Sequence, residues 1–229
     1  MLTIKNMSAY YGESSVIRNL DLDVPDGKIV CLIGRNGVGK STTLKSIMGL
    51  VKTPEGSIEL AGTDMIKMPA YDRVKLGIGY VPQGRDIFPQ MTVQENLELG
   101  LKANGGGQVP EYNYDLNPIL PKFPKRNGAD LSGGQQQQLA IARALVLKPK
   151  LQILDEPTEG IPPSIFDNIG DAIRRVNREL GITVFIVEQY LDFVLGISDY
   201  IYMMEKGNIV LQGETNNIPA EEITRLMTE

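Results

Sequence analysis

Gly34-Arg35-Asn36-Gly37-Val38-Gly39-Lys40-Ser41-Thr42 fits the pattern G-x-x-x-x-G-K-[ST], set between an apolar run and a stretch with helical spacing. Glycines at this spacing let the backbone wrap an anion with its N–H groups, and the N-terminus of a following helix adds positive potential. In such a loop Lys40 reaches the β and γ phosphates of a nucleotide, and the Ser41 hydroxyl ligates Mg²⁺. Asp155 and Glu156 close the apolar run Leu-Gln-Ile-Leu-Asp at 151–155. A hard carboxylate at the C-terminal edge of a strand in an open α/β sheet is where Mg²⁺ is held. Asp155 is therefore the metal-side carboxylate, acting through water, and Glu156 is left to orient or deprotonate an attacking water. Leu131-Ser132-Gly133-Gly134-Gln135 opens a second helix with a serine and two glycines, a second anion-binding start. One nucleotide needs one cradle. The second predicts that each copy offers Ser132, Gly133, Gly134 and Gln135 to the nucleotide held by another copy, in a head-to-tail pair with two shared sites.

Composition narrows the chemistry further. None of the 229 residues is histidine, which removes His-ligated zinc, a Ser-His-Asp triad and imidazole acid–base catalysis. The net charge of −5 gives no basic stripe for nucleic acid. The single cysteine, Cys31, lies in the apolar run IVCLIG and reads as a small buried hydrophobe in a reducing compartment. No apolar stretch approaches the roughly 20 residues of a bilayer crossing, and the start MLTIKNMSAYYGESS carries no secretion signal. The expectation is a cytoplasmic protein whose membrane role, if any, comes through a partner.

Strands alternating with helices predict an α/β fold with a mostly parallel sheet and antiparallel pieces at both ends of the chain. Leu20, Leu22 and Val24 alternate with Asp21 and Asp23 as in a half-exposed strand, whereas IVCLI is apolar throughout, as in a strand covered on both faces. The segment 84–131, with the Asn-Gly-Gly-Gly loop at 104–107 and Pro110, Pro118, Pro121 and Pro124, reads as an inserted helical lobe. A helix at 135–147 carries Leu139, Ala142, Leu145 and Val146 on one side. Another at about 164–180 carries a stripe of Ile165, Ile169, Ile173, Val176 and Leu180, with Ser164 and Asp167 as a capping pair and Gly181 as its stop. ITVFIV is a further buried strand, and YIYMMEKGNIVLQG is a hairpin turning at 206–208.

Together, GRNGVGKST, LSGGQ and LQILDEP resemble the ATP-binding subunit of ABC transporters, and the resemblance covers nearly the whole chain. It implies a P-loop, RecA-like core at 1–83 and 136–229 with an N-terminal antiparallel β subdomain, and a helical subdomain at 84–135 that carries the LSGGQ signature. By the same resemblance Tyr11 either stacks on adenine or is an ordinary core strand tyrosine. Gln83 in YVPQ contacts Mg²⁺ and the attacking water and signals to the helical subdomain. Ser132, Gly134 and Gln135 close on the partner's γ-phosphate, and Asp155 and Glu156 match the metal-binding aspartate and catalytic glutamate. Two positions depart from the family pattern. Gln189 in VEQ stands where a γ-phosphate-contacting histidine is usual, and a neutral amide can still hydrogen-bond phosphate or water. The loop Glu159-Gly160-Ile161-Pro162-Pro163 lacks the usual aspartate and is stiffened by its prolines.

The glutamine in place of histidine is similar to the subgroup serving branched-chain amino acid and urea importers. LPKFPKRNGADLSGGQQQQLAIARAL followed by DEPTEGI looks closest to the urea-type subunit. The expected protein is an ATPase on the cytoplasmic face of the membrane, using ATP and Mg²⁺. Its expected partners are permease subunits, a second cassette and, indirectly, a solute-binding protein. The cargo favoured is urea, with branched-chain amino acids next. A soluble ABC-type ATPase acting on DNA or ribosomes is the alternative. It would usually show two cassettes, a coiled-coil insertion or a basic arm. A regulatory GTPase would need an N-K-x-D stretch, which does not occur.

Overall fold

The computed structural model describes residues 1–103 and 105–228. In chain order the elements are β1 (Leu2–Tyr11), β2 (Ser14–Val24), β3 (Ile29–Ile33), α1 (Lys40–Ile47), β4 (Lys52–Leu60), β5 (Thr63–Asp64), α2 (Ala70–Lys75) and β6 (Ile78–Val81). There follow α3 (Val93–Ala103), α4 (Glu111–Leu116), α5 (Gly133–Leu145), β7 (Leu151–Asp155), α6 (Phe166–Leu180) and β8 (Thr183–Glu188). The chain closes with α7 (Leu191–Ile197), β9 (Tyr200–Glu205), β10 (Asn208–Glu214) and α8 (Ala220–Thr228). Asn104, in the expected Asn-Gly-Gly-Gly loop, lies outside the described residues.

A six-stranded sheet in the order β10-β9-β3-β8-β7-β6 forms the centre, parallel except for the terminal β9–β10 hairpin. The strands β3, β7 and β8 are buried along their whole length, which explains why their sequences are continuously apolar rather than alternating. Within β3 the faces still differ. Val30 and Leu32 join a core shared with α1 and the antiparallel sheet β2-β1-β4-β5, while Ile29, Cys31 and Ile33 pack with Ile169, Ile173 and Phe193 from α6 and α7. The alternation in β2 points Leu20, Leu22 and Val24 into the first core and leaves Asp21 and Asp23 exposed. The β9–β10 turn at Lys206-Gly207 has φ 45° and 81°, the two left-handed residues of a tight hairpin loop.

The helices correct two expectations. In α5, Leu139, Ala142 and Val146 pack with Val93 and Leu97 of α3, but Leu145 faces the other way with Ala140 and Ile141 toward the sheet. The helix is buried on two sides, so it links the helical lobe to the core. Ser164 is not a cap. Pro163–Ile165 form a 3₁₀ turn, α6 starts at Phe166 behind Ile165, and no side chain caps it. Pro162 is held extended at φ −60°, ψ 140°, and the tight turn that follows takes up Ser164 before the α-helix begins. The stripe itself is as expected, with Ile169, Ile173 and Val176 buried, and Gly181 ends the helix in the left-handed conformation.

Candidate functional site

The C-terminal ends of the parallel strands β3, β6, β7 and β8 deliver the chemistry-bearing residues to one edge of the sheet, as expected for an open α/β fold. The chain leaves β3 at Ile33 and re-enters α1 at Lys40. Gly39 caps that helix at φ 116°, a conformation an L side chain adopts only with strain. Gly34 is fixed by close approach instead, since a Cβ there would stand 2.5 Å from the Met204 carbonyl. The β9–β10 hairpin thus buttresses the loop, and the Gly207 N–H donates to the Val38 carbonyl at 2.8 Å. Met204 and Gly207 were not legible as site residues. Nothing in YIYMMEKG says that this turn lies against the phosphate loop.

A cavity of about 200 Å³ is lined by Asn36, Gly37, Gly39, Lys40, Ser41, Thr42, Gln83 and Glu156. At its floor the Lys40 ammonium, 3% exposed, donates to the Gly34 and Arg35 carbonyls at 2.9 and 3.0 Å and pairs with Glu156 at 3.4 Å. A buried ammonium needs these partners, and here two loop carbonyls and the carboxylate after β7 supply them. Glu156 is held at φ 48° by its N–H bond to the Val187 carbonyl, a strained backbone of the kind that gathers at functional sites. Ser41 Oγ donates to Asp155 Oδ1 at 3.0 Å, whereas Asp155 Oδ2 is buried without a hydrogen-bond partner among the described residues. Burial pushes the Asp155 carboxyl up to about 6, the Glu156 charge adds to this, and the Ser41 bond opposes it. An orphaned hard oxygen beside a hydroxyl suits a small divalent cation that draws its other ligands from phosphate and water. Among the described residues no cluster of three or more His, Cys, Asp or Glu could hold a metal alone.

Other expected residues do not line this cavity. Tyr11 ends β1 half-exposed, so it is not a core tyrosine. Gln189 follows β8, its N–H donating to Glu188 Oε2 at 2.8 Å. Ser132 caps α5 in a reciprocal pair with Gln135: Gln135 N–H donates to Ser132 Oγ at 3.4 Å, and Ser132 N–H donates to Gln135 Oε1 at 3.0 Å. Ser132, Gly133, Gly134 and Gln135 do not line the cavity of their own chain. Sequence reading missed Glu188. Fully buried, it accepts from Thr158 N–H at 3.0 Å and Thr158 Oγ1 at 2.5 Å, strapping the loop after Glu156 to the end of β8. The signal was present, because Glu188 ends an apolar strand just as Asp155 does. A larger, more apolar groove beside Phe166, Tyr190 and Phe193 contains neither the phosphate loop nor Asp155 and Glu156.

A glycine-lined phosphate loop opening a helix after β3, with a paired acid at the end of β7 two strands across the sheet and an inserted helical lobe, defines a P-loop nucleotide-binding cassette. Residues 17–159 match the ABC transporter family, and the chain belongs to it as an ATP-binding subunit, an ATPase coupled to transport. It is 38% identical over 92% of its length to the high-affinity branched-chain amino acid transport ATP-binding protein BraG of Pseudomonas aeruginosa, covering 91% of that protein. It is 36% identical over 97% of its length to the probable branched-chain amino acid transport ATP-binding protein LivF of Archaeoglobus fulgidus, covering 95% of it. Among solved structures, a dimeric ATP-binding cassette in a post-hydrolysis state with ADP and phosphate superposes with a TM-score of 0.83. The two are 26% identical over 95% of this chain and all of that one. No helix among the described residues is long and apolar enough to cross a membrane.

Proposed function

We propose that the chain is the ATP-hydrolysing subunit of an importer for a small polar nitrogen compound. It would work on the cytoplasmic face of the membrane as one of a pair of cassettes. The observation that carries this reading is the one cavity that gathers Asn36, Gly37, Gly39 to Thr42, Gln83 and Glu156 beside the Ser41–Asp155 bond.

The loop N–H groups and Lys40 hold the β and γ phosphates, and Tyr11 offers its exposed ring to the adenine. Ser41, Asp155 and Gln83 would hold Mg²⁺, which neutralises phosphate charge when bound. Lys40 turns from Glu156 to phosphate, which frees the carboxylate. Glu156 then accepts a proton from the attacking water, whose oxygen bonds to the γ phosphorus as the bond to the ADP oxygen breaks. Gln83 and Gln189 orient that water through neutral amides.

Ser132, Gly133, Gly134 and Gln135, absent from the cavity of their own chain, are offered to the nucleotide of a second cassette, identical or paralogous. The dimeric state of the related solved cassette supports this pairing. Permease subunits anchor the pair, and a solute-binding protein delivers the cargo to them. The relatives named for branched-chain amino acids support an amino-acid cargo, and the stretch from Leu120 to Leu145 with DEPTEGI supports urea. Uptake of labelled urea and labelled leucine by cells lacking the gene separates the two, since only the true cargo loses its uptake. For the site itself, Glu156→Gln is expected to bind ATP, to lose phosphate release by about a hundredfold or more, and to run as a dimer with ATP and Mg²⁺ on a sizing column. Undiminished phosphate release would remove Glu156 from its role.

A further inference from the structure

Gln83 is followed by three successive left-handed residues, Gly84, Arg85 and Asp86, at φ 82°, 75° and 47°. For arginine and aspartate this backbone is strained, and it persists only where the surroundings over-determine it. The surroundings of Arg85 do so. Its Nη1 donates to Gln136 Oε1 at 3.2 Å in the first turn of α5, and its Nη2 donates to the Glu159 carbonyl at 3.0 Å. The guanidinium lies close to two glycine backbones, because a Cβ added at Gly133 or Gly160 would stand 3.5 or 3.4 Å from Nη2. Gln83 itself donates from Nε2 to Glu159 Oε1 at 3.2 Å, and Gln136 continues the chain of bonds to the Gly128 carbonyl at 3.1 Å. One side chain therefore joins the loop of Gln83, the loop after Glu156, and the helix that begins at Ser132.

Stability gives a poor reason for a cation in this place. Among the described residues Arg85 forms no ion pair. It also stands by the first residue of α5, where the helix dipole disfavours positive charge. What the position does need is two diverging donors on a planar fork, which arginine has and lysine lacks. We propose that Arg85 is a positioning residue for ATP hydrolysis, a latch that makes the Gln83 loop, the Glu159 loop and the start of α5 move as one. Nucleotide contact at Gln83 then reaches Ser132 to Gln135 through the guanidinium rather than through the α3 lobe. The inference rests on the roles proposed for Gln83, Glu156 and the Ser132–Gln135 turn.

Steady-state hydrolysis and fluorescent-nucleotide binding by the purified full-length chain test it, with Arg85→Ala, Arg85→Lys, Gln136→Ala and the Arg85→Ala/Gln136→Ala double variant. Arg85 does not line the nucleotide cavity. Arg85→Ala is therefore expected to lower kcat by about tenfold or more while KM and nucleotide affinity stay within about twofold. Arg85→Lys recovers only part of the loss. The double variant is no slower than Arg85→Ala alone, because both changes cut the same connection. An unchanged kcat in Arg85→Ala, or losses that multiply in the double variant, overturns the latch. Should Arg85→Ala fail to fold, Gln136→Ala and Arg85→Lys carry the same comparison. If Glu156→Gln still hydrolyses ATP, the underlying site reading fails and takes the latch with it. An inactive Glu156→Gln beside a fully active Arg85→Ala sinks the latch alone.

Discussion

Charged groups in the phosphate site are matched with one another before nucleotide arrives. Lys40 is neutralised by Glu156 and held by two loop carbonyls, so phosphate entry exchanges partners rather than exposing a bare charge. Asp155 is the exception, with one oxygen buried and unpartnered. Its folded carboxyl titrates near 6 against an ordinary value of 3.8, so the folded state holds its proton more tightly than the unfolded chain does. The stabilising contribution of the protonated group is complete below about pH 4 and is lost as pH rises through about 6. Asp155→Asn should therefore stabilise the ligand-free protein at pH 8 by about 2 kcal/mol, seen as a higher melting temperature in EDTA, while abolishing Mg²⁺-dependent nucleotide binding. In the wild type, Mg²⁺-nucleotide affinity should fall below about pH 6, and Gln189→Ala should leave that limb in place. A limb that disappears with Gln189 would contradict the assignment.

Secondary-structure elements here act through their ends. The carboxylate at the end of β8 accepts from Thr158 and from the Gln189 and Tyr190 N–H groups, so the loops bearing Glu159 and Gln189 hang from one buried group. Burial pushes the Glu188 carboxyl upward, and those four hydrogen bonds pull it back. Glu188→Ala would strand buried donors on both loops and is expected to cost about 2–4 kcal/mol in urea unfolding. Glu188→Gln should cost less, since an amide oxygen still accepts from Thr158. A loss in the alanine variant no larger than that of a surface substitution would show that the strap is incidental. The β9–β10 hairpin acts the same way, by setting Met204 and Gly207 against the phosphate loop.

At the scale of the whole molecule, the cradle and the Ser132 turn are both formed, yet the turn does not line the cavity of its own chain, and the proposed pairing would bring it to the cradle of a second copy. Asn36→Cys with Ser132→Cys should crosslink between copies when ATP and Mg²⁺ are present in a Glu156→Gln background, giving a doubled mass on a non-reducing gel. The native thiol will not confuse the result, because Cys31 is fully buried and burial drives its thiol far above the ordinary range. Crosslinks that form equally well without nucleotide, or never form, would count against a shared site.

The sequence by itself determined the phosphate loop, the acid pair at the end of β7, the signature turn, and the parallel core, because each rests on local chemistry. A glycine spacing, an apolar run ending in a carboxylate and an alternating strand declare themselves within ten residues. It did not disclose β4, α2 or α8: α2 is a helix of only six residues, whereas α8 carries Ile223, Leu226 and Met227 at helical spacing against the core, a signal that was present and went unread. Nor did it place the start of α6, where two prolines impose a 3₁₀ turn. Only the tertiary structure decided that Met204 and Gly207 support the phosphate loop, that Glu188 ties two loops together, and that Arg85 reaches Gln136 and Glu159. Those contacts join residues tens to more than a hundred positions apart, and strand order and helix packing, rather than any local preference, bring them within hydrogen-bonding range.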